Sequence, residues 1–228
     1  MILDGLQKLT LLDFPDRMAC TVFTHGCNFR CPFCHNASLV EGDNAHLPVE
    51  EFEDFLKKRQ GILDGVAITG GEPMLQKDLK EFIKMIKSYG YLVKLDTNGT
   101  YPEKLEELID EGLVDYVAVD IKATPEKYGK TIGVENFDIT PVKKTVEILK
   151  QGKVPYEFRT TVVKELHEAA DFEIIGKWLE GAPRYFLQQF VDSGDLIGEG
   201  MSAHSEETMK EFLGIVQKYI PTAELRGI

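Results

Sequence analysis

Three cysteine thiols lie close together in the sequence, and their spacing implies chemistry more directly than any other feature. Cys27, Cys31 and Cys34 form a C-x3-C-x2-C pattern directly after an apolar run, Met18–Phe23. Iron–sulfur clusters are held by cysteine thiolates, normally one for each iron of a cubane cluster. Three thiols without a fourth nearby therefore predict a metal site that is one ligand short, so that a molecule other than the protein completes it.

Two other interpretations of these cysteines stay open at this point. A structural zinc site would combine the three thiols with His25 or His35. A disulfide framework is less favoured, because four cysteines in 228 residues, without an apolar signal segment at the N-terminus, are not typical of secreted disulfide-rich proteins. The fourth cysteine, Cys20, lies within the apolar run and is interpreted as a small buried hydrophobic residue.

The composition is that of a globular protein, with 43% hydrophobic and 28% charged residues. No apolar run is long enough to span a bilayer, and we expect no membrane association. The formal net charge of −12 disfavours nucleic acid as a partner. We expect a single domain over residues 1–228, with residues 1–16 as an N-terminal extension, located in the reducing cytoplasm.

A strand-like run, a polar loop and an amphipathic helix recur along the chain. Leu79, Phe82, Ile83 and Ile86 illustrate the apolar stripes at helical period that follow each run. The six predicted strands are Met18–Thr24, Gly65–Thr69, Tyr91–Asp96, Tyr116–Lys122, Tyr156–Val163 and Tyr185–Phe190. The C-terminal segment Thr222–Ile228 is a further candidate for an edge strand.

Six consecutive strand–helix units predict a parallel sheet with right-handed crossovers. A complete eightfold barrel typically takes about 250 residues, more than this chain offers. We therefore predict an α/β fold, an incomplete (β/α)6 TIM-like barrel that is open on one side. A doubly wound open sheet is the structural alternative.

Polar groups stand at the end of every predicted strand, on the face where α/β barrels carry their active sites. Each has a purely structural explanation when taken alone, such as a tight turn or a buried ion pair. Their convergence with the cysteine loop predicts one shared binding site. The strand ends are Thr69-Gly70-Gly71-Glu72-Pro73, Asp96-Thr97-Asn98-Gly99, Asp120-Ile121-Lys122, Arg159, and Gln188 with Gln189.

Two of these motifs together resemble the radical S-adenosylmethionine (SAM) superfamily. They are the cysteine motif, with the aromatic Phe33 before its last cysteine, and Gly-Gly-Glu-Pro at residues 70–73. In that superfamily three cysteines hold a [4Fe–4S] cluster, and the open iron binds the amino and carboxylate groups of SAM. The resemblance therefore implies a radical SAM oxidoreductase.

Further motifs narrow the resemblance to the glycyl-radical-enzyme activating subfamily, whose members install a glycyl radical on a partner enzyme. These motifs are Cys34-His35-Asn36, Asp96-Thr97-Asn98-Gly99 and Asp120-Ile121-Lys122. The opening segment Gly5–Pro15 resembles short activating proteins of anaerobic ribonucleoside-triphosphate reductase. That reductase is accordingly the favoured partner, with flavodoxin or ferredoxin as the reductant.

The resemblance also assigns roles to individual residues. Cys27, Cys31 and Cys34 would ligate the cluster and carry catalysis. The residues expected to bind SAM are Phe33, Asn36, Gly70, Gly71, Glu72, Thr97, Asp120, Lys122, Arg159 and Gln188. Asp96, Thr97 and Asp120 match positions that bind a monovalent cation in the pyruvate formate-lyase activating enzyme.

The remaining expectations concern the loops and the rival functions. No cysteine lies between Ala37 and Asp64, which implies that the ferredoxin insert of larger activating enzymes is absent and that one cluster is bound. The long loops Ala123–Ile139 and Asp192–His204 are candidates for gating the site or docking a glycine loop, and disordered linkers are the alternative. The rivals are a small-molecule enzyme resembling 7-carboxy-7-deazaguanine synthase and a non-catalytic zinc or iron–sulfur interaction module.

Overall fold

The computed structural model describes residues 1–43 and 45–228 and contains one twisted sheet covered by helices on one face. The strands are β1 Leu3–Thr10, β2 Ala19–Thr24, β3 Gly65–Gly70, β4 Leu92–Thr97, β5 Tyr116–Asp120, β6 Tyr156–Val162, β7 Tyr185–Gln189 and β8 Glu224–Arg226. The helices are α1 Ala37–Glu41, α2 Val49–Arg59, α3 Leu79–Ser88, α4 Pro102–Asp110, α5 Tyr128–Thr131, α6 Thr140–Lys150, α7 Ala169–Trp178 and α8 Glu206–Val216. A short 3-10 turn, Pro73–Leu75, follows β3.

The strands lie side by side in chain order, from β1 to β8. β2 to β8 are parallel to their neighbours, whereas β1 pairs antiparallel with β2 at one edge. Within the described residues the two edge strands, β1 and β8, do not pair with each other. The sheet is therefore a partial barrel that is open on one side, as predicted.

The two faces of the sheet carry different side chains because successive residues of a strand point to opposite sides. Ile68, Leu95 and Val119 are fully buried on the outer face, in one core with helix residues such as Phe82 and Leu105. The inner face carries mainly small, polar and charged residues. An apolar outer layer thus holds the sheet to its helices, while the inner face is left for binding and chemistry.

Phe14 closes the inner space at the N-terminal ends of the strands. Its buried ring packs with Ala19, Leu92 and Tyr116, which are the first residues of β2, β4 and β5. The first residue of β3 is Gly65, where an added Cβ would lie 2.8 Å from the Phe14 ring. The segment after β1 therefore acts as a plug, and access to the inner face is from the opposite end and the open side.

All six predicted strands are present, with ends that differ by one or two residues. The edge strand predicted within Thr222–Ile228 is confirmed as β8. The six predicted strands do not include β1, which lies within the predicted N-terminal extension, residues 1–16. The apolar residues of β1 are Leu3, Leu6 and Leu9, which recur at every third position, so the strand lacks the alternation of a half-buried strand. No helix in the described part of the chain is long and apolar enough to cross a membrane.

Candidate active site

The cysteine loop begins where β2 ends and is held in place by three glycines from distant parts of the chain. A Cβ added at Gly71 would lie 1.9 Å from the Gly26 carbonyl oxygen. A Cβ at Gly133 would lie 2.4 Å from the Arg30 carbonyl oxygen, and one at Gly198 would lie 2.5 Å from the Pro32 side chain. A side chain does not fit at any of these contacts without movement of the loop. We call Gly71, Gly133 and Gly198 the glycine braces.

Backbone hydrogen bonds accompany each brace. The Glu72 N–H donates to the Gly26 carbonyl at 2.8 Å, the Arg30 N–H donates to the Ile132 carbonyl at 2.8 Å, and the Gly198 N–H donates to the Pro32 carbonyl at 2.8 Å. Each bond fixes a residue just before or between the cysteines. The order of the cysteine loop thus depends on the loops that follow β3, β5 and β7.

The two long loops, for which gating or docking was predicted, contact the cysteine loop directly. Gly133 belongs to the loop after β5, and Gly198 belongs to the loop after β7. In the second loop Asp195 also accepts hydrogen bonds from the Ser38 N–H at 3.2 Å and the Ser38 hydroxyl at 2.7 Å. Both loops therefore support the site, and their part in gating or docking stays a prediction.

The three predicted ligands, Cys27, Cys31 and Cys34, line one cavity of about 330 Å³ at the C-terminal ends of the strands. Burial raises the pKa of the Cys31 thiol to about 12, and burial likewise raises that of Cys27 above its ordinary value. Buried thiols with such pKa values are neutral unless a metal ion stabilises the thiolate. Cys20 is buried outside this cavity, as predicted.

Lys122 is the basic side chain whose charge acts on these thiols. Its positive charge acts to lower the pKa of both Cys27 and Cys31. Its Nζ atom also lies 5.9 Å from the centre of the Phe33 ring and 3.1 Å from Asp120 Oδ2. The arrangement suits a cluster with negatively charged thiolate ligands, because the compensating charge is already in position.

All but one of the predicted site residues line this cavity. Besides the cysteines, these are Phe33, Asn36, Gly70, Gly71, Asp96, Thr97, Asp120, Lys122, Arg159 and Gln188. They come from the cysteine loop and from β3, β4, β5, β6 and β7. The topology therefore brings together side chains that are more than 150 residues apart in the chain (188 − 27 = 161).

Glu72 is the exception, since its side chain does not line the cavity and is fully buried. Its carboxylate accepts hydrogen bonds from the Thr97 hydroxyl at 2.8 Å, the Asn98 N–H at 2.7 Å and the Met74 N–H at 3.0 Å. Burial raises the pKa of this carboxyl to about 7, although these three donors act to lower it. In this structure the Glu72 carboxylate joins β3 to β4, and the part of Glu72 in binding SAM stays a prediction.

Asp96 and Asp120, two of the expected cation ligands, are paired with basic side chains. Arg159 Nη1 lies 3.0 Å from Asp96 Oδ2, and Arg159 Nε lies 2.9 Å from Asp120 Oδ1. Lys94 pairs with Asp96 as well. Although burial opposes ionisation, Arg159 holds the pKa of both carboxyls below their usual range. The monovalent cation stays a prediction, and it would have to compete with these side chains.

Asn98 also lines the cavity, although its sequence motif predicted no role for it. Its side-chain Nδ2 lies 3.9 Å from the Cys27 sulfur and 2.7 Å from Asn28 Oδ1. The Phe29 N–H also donates to the Cys27 sulfur, at 3.4 Å. Hydrogen bonds to the sulfur ligands tune the potential of an iron–sulfur cluster. The signal in the sequence is its position directly after β4, in a motif that is also typical of a turn.

Other residues of the cavity were also missed. They include Gln7 of the edge strand β1 and Thr161 of the inner strand β6. His35 also lines it, but His25 does not. Of the two histidines considered for a zinc site, only His35 is therefore placed beside the thiols.

Comparison with known proteins places this geometry in a family. The family model described as the radical SAM superfamily matches residues 21–173, which is more than half of the chain. A protein of Methanocaldococcus jannaschii, provisionally assigned as a glycyl-radical enzyme activating enzyme, is 35% identical over 237 residues. That alignment covers 100% of this chain and 96% of the relative.

Solved structures share the fold at low sequence identity. A domain of the pyruvate-formate lyase-activating enzyme from Bacteroides vulgatus superimposes with a TM-score of 0.59 at 20% identity, covering 72% of this chain and 99% of that one. Streptococcus suis SuiB bound to its precursor peptide SuiA gives a TM-score of 0.72 at 14% identity, covering 90% of this chain and 47% of that one. The chain thus belongs to the radical SAM superfamily, as a relative of its glycyl-radical-enzyme activating members, and is an oxidoreductase of the kind that uses a [4Fe–4S] cluster and SAM.

Proposed function

We propose that this protein is an activating enzyme that cleaves SAM reductively at a [4Fe–4S] cluster and installs a glycyl radical on a partner enzyme. The partner that we favour is anaerobic ribonucleoside-triphosphate reductase, and the electron donor is flavodoxin or ferredoxin in the cytoplasm. The observation that carries the proposal is the meeting of three thiols with the polar ends of five strands around one cavity. The relative that aligns with the whole chain and is provisionally assigned as an activating enzyme supports it.

Cys27, Cys31 and Cys34 are proposed to ligate the cluster, with Lys122 balancing the charge of the thiolates. When bound, the cluster and SAM together supply a carbon-centred radical that removes a hydrogen atom from a glycine Cα. The protein's own contribution is to hold the reacting groups and to keep water out. The buried Cys31 and Phe33, both almost inaccessible to solvent, serve this second purpose.

The remaining predicted residues are proposed to bind SAM. Phe33 offers an apolar surface for the adenine, while Asp120, Lys122 and Arg159 offer charged groups for the ribose and the carboxylate. Gly70 and Gly71 have no side chains, so they contribute backbone groups only. The further cavity residues assigned to SAM are Asn36, Thr97 and Gln188.

The open side of the sheet suits a protein substrate. β1 and β8 leave a gap through which an extended loop could reach the cavity, and Phe14 blocks the opposite end. Gln7 of β1 and Gln188 of β7 line the cavity near this gap. Their amide groups can each donate and accept a hydrogen bond, which is what an extended peptide backbone requires.

The test is anaerobic reconstitution with iron and sulfide, followed by reduction with dithionite in the presence of SAM. We expect a brown protein that releases 5′-deoxyadenosine, and a glycyl-radical signal in electron paramagnetic resonance after mixing with the reductase. A parallel mixture with pyruvate formate-lyase tests the choice of partner. A colourless protein that holds one tight zinc ion would contradict the proposed activity itself.

Cys31→Ala should abolish both the cluster and SAM cleavage, because it removes one of three ligands. The matched control is Cys20→Ala, which removes the same kind of side chain from a buried position outside the cavity. We expect the control to keep its cluster and its activity. Cleavage that survives in Cys31→Ala would mean that the ligands are assigned wrongly.

A further inference from the structure

A second group of metal-ligating side chains lies outside the cavity and consists of Asp4, His25 and His46. His25 Nδ1 lies 2.6 Å from Asp4 Oδ2, and His46 Nδ1 lies 2.7 Å from Asp4 Oδ1. One ligand atom from each residue falls within 4.8 Å of the other two. None of the three residues lines the cysteine cavity, so the group is separate from the site described above.

The backbone places these three residues independently of their side chains. Asp4 is on β1, His25 follows the end of β2, and His46 stands shortly before α2. The His25 N–H donates to the Ile2 carbonyl at 3.1 Å, next to β1. The Leu47 N–H donates to the Leu3 carbonyl at 2.7 Å, which fixes the residue beside His46 next to Asp4. The convergence of the three side chains is therefore built into the fold.

The exposure of the group suits an ion that enters from solvent. The Asp4 side chain is fully buried, whereas those of His25 and His46 are 27% and 49% exposed. The two imidazole rings meet edge to face, with centroids 5.3 Å apart. The carboxylate is buried, whereas both imidazoles are accessible to water, which can serve as a further ligand.

Imidazole nitrogen and carboxylate oxygen are the ligands that zinc takes when cysteine is absent, at about 2.0–2.2 Å and in tetrahedral geometry. Such bond lengths put neighbouring ligand atoms about 3.3 Å apart. The imidazole nitrogens lie 2.6 and 2.7 Å from the Asp4 oxygens and need to withdraw by about 0.6–0.7 Å to reach that spacing. Ligand atoms that are up to 4.8 Å apart need to approach by up to about 1.5 Å. We propose that Asp4, His25 and His46 bind one divalent ion of the zinc class, with water completing the coordination.

The ion would join three segments at the edge of the sheet. One of these segments contains His25, which stands two residues before Cys27. The ion would therefore connect the start of the cysteine loop to β1 through Asp4. The glycine braces act on the same loop from β3, β5 and β7. The proposed ion at Asp4, His25 and His46 is therefore structural, and its binding does not depend on the reaction catalysed in the cavity.

The test uses the cluster-loaded protein, in which the cavity cysteines are already occupied. Zinc chloride is added anaerobically, the protein is desalted, and zinc is measured by elemental mass spectrometry. We expect one zinc per chain beyond the cluster. X-ray absorption at the zinc edge should show nitrogen and oxygen neighbours only, without sulfur.

His46→Gln is the variant of choice because the side chain is half exposed and its loss leaves the core intact. Even the loss of a supporting residue around a metal costs roughly 10–100-fold in affinity, so loss of a ligand should weaken zinc binding by at least about tenfold. Zinc should raise the melting temperature of the wild-type protein and leave that of His46→Gln unchanged. The control is His204→Gln, which removes a histidine from the segment before α8 and should bind zinc as the wild type does.

Three results would overturn the proposal. They are zinc that stays below one equivalent in the wild type, zinc with sulfur neighbours, and equal binding by the wild type and His46→Gln. Each of these readouts is independent of SAM cleavage. Failure here would therefore leave the proposed activity untouched.

Discussion

Glu72 shows how a single residue can be recognised by its motif while the direction of its side chain depends on the rest of the fold. The Gly-Gly-Glu sequence correctly located the end of β3 at the cavity. The direction of the carboxylate could not be predicted, because it depends on donors from β4, the Thr97 hydroxyl and the Asn98 N–H. Those donors reach Glu72 because β3 and β4 pair, although the residues are about 25 positions apart. A single sequence motif does not encode that pairing.

The raised pKa of Glu72 predicts a pH-dependent stability. Between pH 4.5 and about 7 the unfolded state has lost this proton while the folded state still holds it. The free energy of unfolding therefore contains a contribution that is complete below pH 4.5 and is lost as the pH rises to about 7. The shift corresponds to about 3 kcal/mol. Urea unfolding of the wild type and of Glu72→Gln, both free of cluster, at several pH values measures it.

The comparison between the two proteins isolates Glu72 from other carboxyls. Asp96 and Asp120 have lowered pKa values, so they act in the opposite direction, but they are present in both proteins. We expect the stability advantage of the wild type over Glu72→Gln to shrink as the pH rises. Two parallel pH profiles would show that the Glu72 proton does not contribute.

At the scale of elements, the strands were predictable but their loops were not. The β-branched runs indicated six strands, because strand formation depends on local side chains. Gly133 and Gly198 could not be recognised as contacts of the cysteine loop from sequence. Their importance arises from the Arg30 carbonyl and the Pro32 side chain, which approach only after the sheet has formed.

Gly71→Ala should disturb the cysteine loop through the backbone. The added Cβ would lie 1.9 Å from the Gly26 carbonyl oxygen, so either β3 or the loop has to move. Overpacking of this kind costs about 1–3 kcal/mol, and a backbone collision belongs at the upper end. We also expect less iron to be retained after reconstitution, measured together with the unfolding free energy.

The matched control is Gly214→Ala, the same substitution at a glycine within α8. No atom lies within 4 Å of the Cβ that it would add. Alanine favours the helix by about 0.5–1 kcal/mol over glycine, so this variant should be slightly more stable and should load iron normally. Equal iron content in both variants would mean that the contact between Gly71 and Gly26 does not support the site.

At the scale of the whole molecule, charged side chains connect the strands across the inner face. Arg159 of β6 contacts Asp96 of β4 and Asp120 of β5. Glu157, also on β6, binds Arg226 of β8 through two hydrogen bonds of 3.0 and 3.2 Å. The sequence predicted that polar strand ends would converge. The pairing partners depend on strand order and register, which periodicity does not determine.

Arg226→Ala should destabilise the molecule at its open side. The substitution leaves the buried Glu157 without its bidentate partner and removes a guanidinium that lies 3.3 Å from the centre of the Phe186 ring. Loss of one partner of a buried pair costs about 3–5 kcal/mol. Because Arg226 is 34% exposed, we expect about 2 kcal/mol after allowance for solvent screening, measured by chemical unfolding.

A surface ion pair provides the control for this prediction. Lys210 binds Glu206 one helical turn away on α8, at 2.6 Å, and both side chains are largely exposed. Lys210→Ala should change the unfolding free energy by less than about 0.5 kcal/mol. Similar losses in the two variants would indicate that Arg226 contributes no more than an ordinary surface charge.

The glycine braces also have a consequence for the order in which the molecule is made. The cysteines are translated early, but Gly198 follows Cys34 by 164 residues (198 − 34). At about 5–20 residues per second, that interval lasts on the order of ten to thirty seconds. During this interval the cysteines have been synthesised, but Gly198, the last of the glycine braces, has not. The nascent chain, more than the finished protein, is thus the form that needs protection from oxygen and from the wrong metal.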